Sequence, residues 1–278
     1  MQPQRITHKE RYHVRTVDRA LSILKVFIAN EGEGELSLTE ISRTVALDQS
    51  TTYRLLATLE ASGFIEQSDM TGKYRLGVTT LTLSEAFLRH NNLSQRAKPS
   101  LVSLRDQCGE TVHLAILEGT EVVYLDKLAG LHPIGLMSSR VGGRSPAYCT
   151  GLGKSLLAYY PSSQIKSAYK NYSLKKYTAN TITDLDTLLE ELAKIRTIGY
   201  AVDIEEHEPG VACIAAPVFD HQGIAAAISI SGPSNRLLDQ TAKLDLPKMV
   251  VEAAREISSQ LGGKKGEALK QPEYQGGG

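Results

Sequence analysis

Residues 37–65 constrain this chain more than any other stretch. Ser37 and Glu40 stand three apart at the head of an apolar series, Leu38, Ile41 and Val45. That is the spacing of a capping box, in which each side chain satisfies a backbone N–H left open at a helix start. Asp48 offers a second N-cap. Beyond it, Thr52, Leu55, Leu56 and Leu59 recur on one side of a helix, while Ser50, Tyr53, Arg54 and Ala57 fall on the other. Gly63 ends that helix. Phe64 to Gln67, a turn at Asp69 to Gly72, and Lys73 to Leu76 then predict a two-stranded wing. Upstream, Val17, Ala20, Leu21, Leu24, Phe27 and Ile28 mark the buried face of a first helix, closed by the acidic, glycine-rich loop 31–35.

Two helices joined by a tight turn are the layout of a helix-turn-helix whose second helix enters a DNA groove. Its outer face is short, polar and basic only at Arg54, so the backbone can approach a phosphate or a base edge. Gln49, Ser50, Thr51, Tyr53 and Arg54 are the expected contacts to operator DNA, with Lys73 on the wing against phosphate. A small helical bundle with a solvated polar face is the competing reading. Formal net charge is zero, so no global positive field advertises nucleic acid. Charge is nonetheless unevenly placed: residues 5–19 hold five basic and two acidic side chains. They form either an arm that tracks phosphates or an unstructured tail.

With 278 residues and 41% hydrophobic content, the chain has room for two domains. The expected fold class is α+β. A winged helix-turn-helix domain over 15–77 leads through a linker helix at 78–93 into a second domain at 94–262, and a disordered tail covers 263–278. The linker stripe (Val78, Leu81, Leu83, Ala86, Phe87, Leu88) suits a stiff connector, a dimer contact, or both. In the second domain, helices are expected from Pro99 to Cys108, Gly151 to Tyr160, Leu185 to Ile198 and Pro247 to Leu261. Strands are expected at 111–117, 121–128, 134–137, 200–203, 212–219 and 224–230, an order that implies an antiparallel sheet. Cys108, Cys149 and Cys213 form no disulfide framework and suit a reducing cytoplasm. No secretory leader or bilayer-length apolar run is read, so the protein is expected to be cytoplasmic and free of the membrane.

Thr150 to Ser155 resembles a phosphate loop, but the glycine a Walker motif requires is replaced by Tyr148. What remains is a glycine-rich helix entry with backbone N–H groups at Gly151, Leu152 and Gly153. Such an entry either holds a carboxylate or makes a close-packed turn. A second set, Asp203, Cys213, Ser229 and Ser231, places small polar groups on an otherwise apolar sheet, as in a pocket with a few fixed contacts. The histidines, among them His113, His132, His207 and His221, show no metal spacing. No metal and no cofactor is expected.

The segment Ser50 to Gly63 followed by Tyr74 to Gly77 resembles the winged helix-turn-helix of the IclR family of bacterial transcription regulators. Arg144 to Ala158, and Asp203 to Asp220 running on to Ser229-Ile-Ser-Gly232, resemble two further signatures of that family, so the likeness spans roughly residues 15–262. It implies a GAF-like α/β effector-binding domain, operator binding as a homodimer or a dimer of dimers, and control by a small carboxylate. It carries effector contact onto Gly151, Leu152, Asp203, Cys213, Ser229 and Ser231, and selectivity onto Tyr148 and Cys149. Ser138 to Tyr148 resembles the members that repress 2-keto-3-deoxygluconate use, which would give Arg140 and Arg144 a role in holding a sugar acid. The implied protein is a repressor of a catabolic operon. The alternative is an enzyme acting on a small acid through Cys213 or Cys149, with Asp203 in a charge role and His207 as base.

Overall fold

A computed structural model describes residues 14–30, 34–90, 92–132 and 138–263. The basic residues at 5–13, the strand expected at 134–137 and the tail from 264 onward lie outside the described residues. The chain divides into two compact units, one up to Asn91 and one from Asn92.

The first unit contains α1 (Arg15–Ala29), α2 (Leu38–Thr44), α3 (Gln49–Ala61), β1 (Ile65–Gln67), β2 (Tyr74–Leu76) and α4 (Val78–His90). The capping box at α2 is formed as the sequence spacing requires, and Asp48 caps α3. Ile23, Phe27, Ile41, Leu55, Leu56, Ile65 and Tyr74 make one core. On α1 the expected stripe is corrected: Ile23 and Phe27 point inward with Ala20 and Leu24 beside them, whereas Val17, Leu21 and Ile28 are exposed. The wing is an antiparallel pair, with Glu66 opposite Arg75. It returns tightly onto the end of α3. Gly63 adopts φ +71°, and a Cβ on Gly77 would lie 2.3 Å from the Gly63 carbonyl oxygen, so both positions demand glycine. α4 leaves Val78, Leu81, Leu83 and Phe87 exposed.

The second unit is built on a six-stranded antiparallel sheet. Its strands are β3 (Thr111–Glu118), β4 (Glu121–Leu128), β5 (Arg144–Pro146), β6 (Ala201–Ile204), β7 (Val211–Phe219) and β8 (Ile224–Pro233), in spatial order β5-β4-β3-β8-β7-β6. Helices α5 (Asn92–Cys108), α9 (Ser234–Leu244) and α10 (Leu246–Gln260) cover one face. Helices α6 (Gly151–Leu157), α7 (Ser162–Tyr169) and α8 (Leu185–Ile198) cover the other. With both faces covered, β7 and β8 are buried along nearly their whole length. Period two still sorts them: Ala212, Ile214, Ala216 and Val218 face α5 and α10, whereas Cys213 and Ala215 face α6.

Two expectations need correction. α5 starts at Asn92, not at Pro99, which lies inside the helix on its exposed side. Leu93, Ala97, Leu101, Leu104 and Cys108 carry one buried stripe straight through the proline, so packing against the sheet outweighs the backbone bond that proline removes. α6 ends at Leu157, short of Tyr160, because Pro161 opens the next helix. β5, α7 and α9 were not expected at all. β5 is only three residues long, and α7 and α9 carry few apolar side chains.

Candidate DNA-reading surface and effector cavity

The start of α3 is exposed and rigidly set. Asp48 accepts hydrogen bonds from the Thr51 backbone N–H at 2.8 Å and from the Ser50 hydroxyl at 2.6 Å. These bonds, the Ser50 hydroxyl first, hold the Asp48 carboxyl well below the usual carboxylate range. Gln49 donates from Nε2 to Thr39 Oγ1 at 3.2 Å, tying α3 to α2. Gln49, Ser50, Tyr53 and Arg54 are exposed, and Thr51 is half-buried. The sequence-derived outer face of α3 is therefore a real outer face, not part of the core. On the wing, Lys73 is half-buried, and Arg75 pairs with Glu66 and, at 3.7 Å, with Glu35.

The second unit holds a cavity between the sheet and the start of α6, open to solvent on one side, with about 470 Å³ of space when its mouth is counted. Strand register creates its floor. Asp203 on β6 pairs with Cys213 on β7, which pairs with Ser231 on β8, which pairs with Thr111 on β3. One row across, Ala215 pairs with Ser229 and Ser229 with His113. Gly151 and Leu152 of α6 also line the cavity. Their helix is capped by Thr150, whose Oγ1 accepts from the Gly153 N–H at 3.2 Å. That bond removes Gly153 from the three N–H groups expected to be open. Gly153 has a packing role instead, since a Cβ there would lie 2.2 Å from the Ala147 Cα. Gly151 is close to its limit as well: its Cβ would sit 3.0 Å from Cys213 Sγ.

Burial dominates the electrostatics. It pushes the Asp203 carboxyl up to about 7, partly offset by the Glu206 backbone N–H, which donates to Asp203 Oδ1 at 2.8 Å. His113 is buried and pulled down to about 3 by desolvation and then by the Lys127 charge, so its imidazole is neutral at physiological pH. Its Nε2 bonds Ser139 Oγ at 2.8 Å, and its Nδ1 lies 3.3 Å and 3.4 Å from the Ser229 and Ser231 hydroxyls. Lys154, on α6, is fully buried. It donates to the Val202 carbonyl at 2.7 Å and pairs with Glu206, with Glu191 at 4.0 Å. Burial raises the Cys213 thiol to about 11 and the Cys149 thiol to about 12, each helped by the charge of Asp203. A thiol so placed stays protonated and is a poor nucleophile.

Of the sequence-derived effector residues, Gly151, Leu152, Asp203, Cys213 and Ser231 meet at the cavity. Ser229 stands behind them, joined through Ser231 at 3.2 Å and through His113. Tyr148 and Cys149 do not line it. Tyr148 is fully buried, donates to the Lys175 carbonyl at 2.6 Å and stacks edge-on against Tyr169 and Tyr172. Arg144 is turned outward into an ion pair with Glu118 and, at 3.3 Å, with Glu121. Its neighbour Ser145 faces the cavity, as strand alternation requires. Arg140 is exposed and does not line the cavity either. Residues outside the expected effector set also line it, chiefly His113, Tyr124, Ser139, His207 and Glu208. For His113 a signal existed: it shares a face of β3 with Thr111 and Ala115. What could not be read was that β3 pairs with β8. Among the described residues, no cluster of three or more His, Cys, Asp or Glu side chains could hold a metal ion, and no helix is long and apolar enough to cross a membrane.

An exposed, capped second helix with a wing has the form of a winged helix-turn-helix, and the second unit of the same chain carries a cavity. The IclR helix-turn-helix domain matches residues 16–69, and the C-terminal domain of the bacterial transcriptional regulator IclR matches residues 85–259. The chain belongs to the IclR family of transcription regulators, which are not enzymes. It is 40% identical over 254 residues to the regulator BhcR of Paracoccus denitrificans, covering 91% of this chain and 89% of that one. Relatives at 35% identity in Escherichia coli K12 include the transcriptional repressor IclR, covering 91% of this chain and 92% of its own, and the regulator KdgR, covering 88% and 94%. Similarity therefore does not single out the 2-keto-3-deoxygluconate branch. Among solved structures, an IclR homologue from Microbacterium hydrocarbonoxydans complexed with 4-hydroxybenzoate superposes with a TM-score of 0.78 at 27% identity, covering 88% of this chain and 98% of that one.

Proposed function

We propose that this regulator is a repressor of a catabolic operon, released or retained by a small organic acid bound in the cavity of the second unit. Gln49, Ser50, Thr51, Tyr53 and Arg54 read the operator, and Lys73 contacts phosphate. The effector carboxylate lies against Gly151 and Leu152, with Asp203, Cys213 and Ser231 around it and Ser229 supporting them through His113. The observation that carries this reading is the row Asp203–Cys213–Ser231, brought by strand register under the start of α6. The acid bound by the Microbacterium homologue supports the class of ligand. Because hydroxyls dominate the wall, hydroxylated acids, including sugar acids, are the first candidates. The protein acts as a homodimer or a dimer of dimers on a palindromic site. Apolar side chains exposed on α1 (Val17, Leu21, Ile28) and α4 (Val78, Leu81, Phe87) support pairing.

A gel-shift titration of operator DNA at low salt, with a panel of keto, hydroxy and sugar acids, tests the proposal. Effector coupling of about 5- to 150-fold in DNA affinity is the expected scale. No operator binding at any effector level would overturn it.

A further inference from the structure

The charges around the cavity are lopsided. Asp203 and Glu208 line it, whereas no Lys or Arg among the described residues does. Glu208, on the loop between β6 and β7, accepts from the Ser138 hydroxyl and stands 4.0 Å from His207 Nδ1. The two nearby ammonium groups are engaged outside the lining. Lys127 donates to the Ser139 carbonyl and also faces Glu208. Lys154 is held by Val202 and Glu206. Both imidazoles on the wall, His113 and His207, have their pKa lowered by burial, so neither adds a dependable positive charge. One carboxylate can be met by backbone N–H groups. A second finds no Lys or Arg on the lining to meet it, has Glu208 to avoid, and meets a further charge wherever Asp203 is ionised. A hydroxyl in that second place would find acceptors.

We propose that Glu208 sets the charge selectivity of the effector site, admitting hydroxylated monocarboxylates and rejecting dicarboxylates. The inference rests on the organic-acid reading and adds to it the charge and donor pattern of the ligand. Glu208 acts by direct contact: it accepts a hydroxyl of the effector and repels a carboxylate in the same position.

The test is calorimetric titration of the full-length protein with two matched pairs. Glycerate and tartronate share a three-carbon skeleton, and gluconate and glucarate a six-carbon one. In each pair a terminal hydroxymethyl is replaced by a carboxylate. In at least one pair the monoacid is expected to bind about tenfold or more tighter than the diacid. Glu208→Gln keeps the size and removes the charge. It should close most of that gap by tightening the diacid, with an unchanged melting temperature as the folding control. A diacid that binds wild-type protein as tightly as its monoacid partner overturns the inference. So does a Glu208→Gln variant that weakens both members of a pair equally. If all four acids fail while unhydroxylated monoacids still release operator DNA, the selectivity claim falls and the organic-acid reading stands. If no carboxylate binds at all, both fall.

Discussion

Two helix starts, α3 and α6, use the same local device for opposite ends. Each is capped by a short polar side chain, Asp48 in one and Thr150 in the other, bonded to a backbone N–H of the first turn. At α3 Gln49, Ser50, Tyr53 and Arg54 are exposed, with Tyr53 at 56%, so side chains are offered outward to solvent. At α6 every residue from Gly151 to Leu157 is buried, and glycines take the place of side chains. Its backbone becomes part of a cavity wall. Capping fixes where a helix begins, and burial decides whether its first turn presents side chains to solvent or backbone to a cavity wall.

The sharpest way to break this contrast is through the buried ammonium of α6. Lys154→Met leaves Glu206 without its partner, beside an already buried Asp203, and should lower the stability of the second unit by about 3–5 kcal/mol. Thermal unfolding of the variant would show the loss, and Lys154→Met combined with Glu206→Gln should recover much of it. If the single change were neutral, α6 would not depend on its buried charge pair.

At α3 the expected loss is functional. Arg54→Ala should weaken operator binding by about 1–3 kcal/mol with no change in melting temperature or effector affinity. A variant with full operator affinity would move the reading surface away from this face.

Asp203 gives a smaller, pH-dependent effect. Its carboxyl titrates near 7 in the folded protein, against 3.8 when unfolded. Between those values the folded state holds the extra proton, so stability of the second unit falls as pH rises from about 4 to 7 and levels off above. Above 7 the cavity gains a negative charge, so the affinity for an anionic effector should fall by up to about tenfold per pH unit. Asp203→Asn should flatten both profiles. Calorimetry at pH 6, 7 and 8 checks this, and a rising affinity would show that the acid does not approach Asp203.

The smallest effect is expected at Arg144. Its pairs with Glu118 and Glu121 are largely exposed, so Arg144→Ala should cost less than about 1 kcal/mol of stability and leave effector affinity unchanged. A marked loss of effector binding would restore Arg144 to the site.

The elements and caps of the winged helix were legible because their signals are local, although the buried face of α1 was not: Ile23 is buried there, while Val17, Leu21 and Ile28 are exposed. Caps at Ser37 and Asp48, stripes at three and four residues, and Gly63 all act within one or two turns. The cavity was legible only in part. Asp203, Cys213 and Ser231 could be picked out as small polar groups among apolar neighbours, but His113 and Glu208 could not. Their placement depends on which strands pair and how two loops close over the sheet. Tyr148 and Arg144, assigned to the site through the family resemblance alone, do not line the cavity.

The chain's own order of residues determined the caps at Ser37 and Asp48, the stripes of α2 and α3, and the glycine at 63, since each answers to backbone sterics or to partners a few positions away. Tertiary structure alone decided that Asp203, Cys213 and Ser231 form one row, that Pro99 sits within a helix, and that Lys154 is enclosed. Register and burial join residues far apart in the chain, and only the folded core sets the low dielectric that gives those groups their charge states.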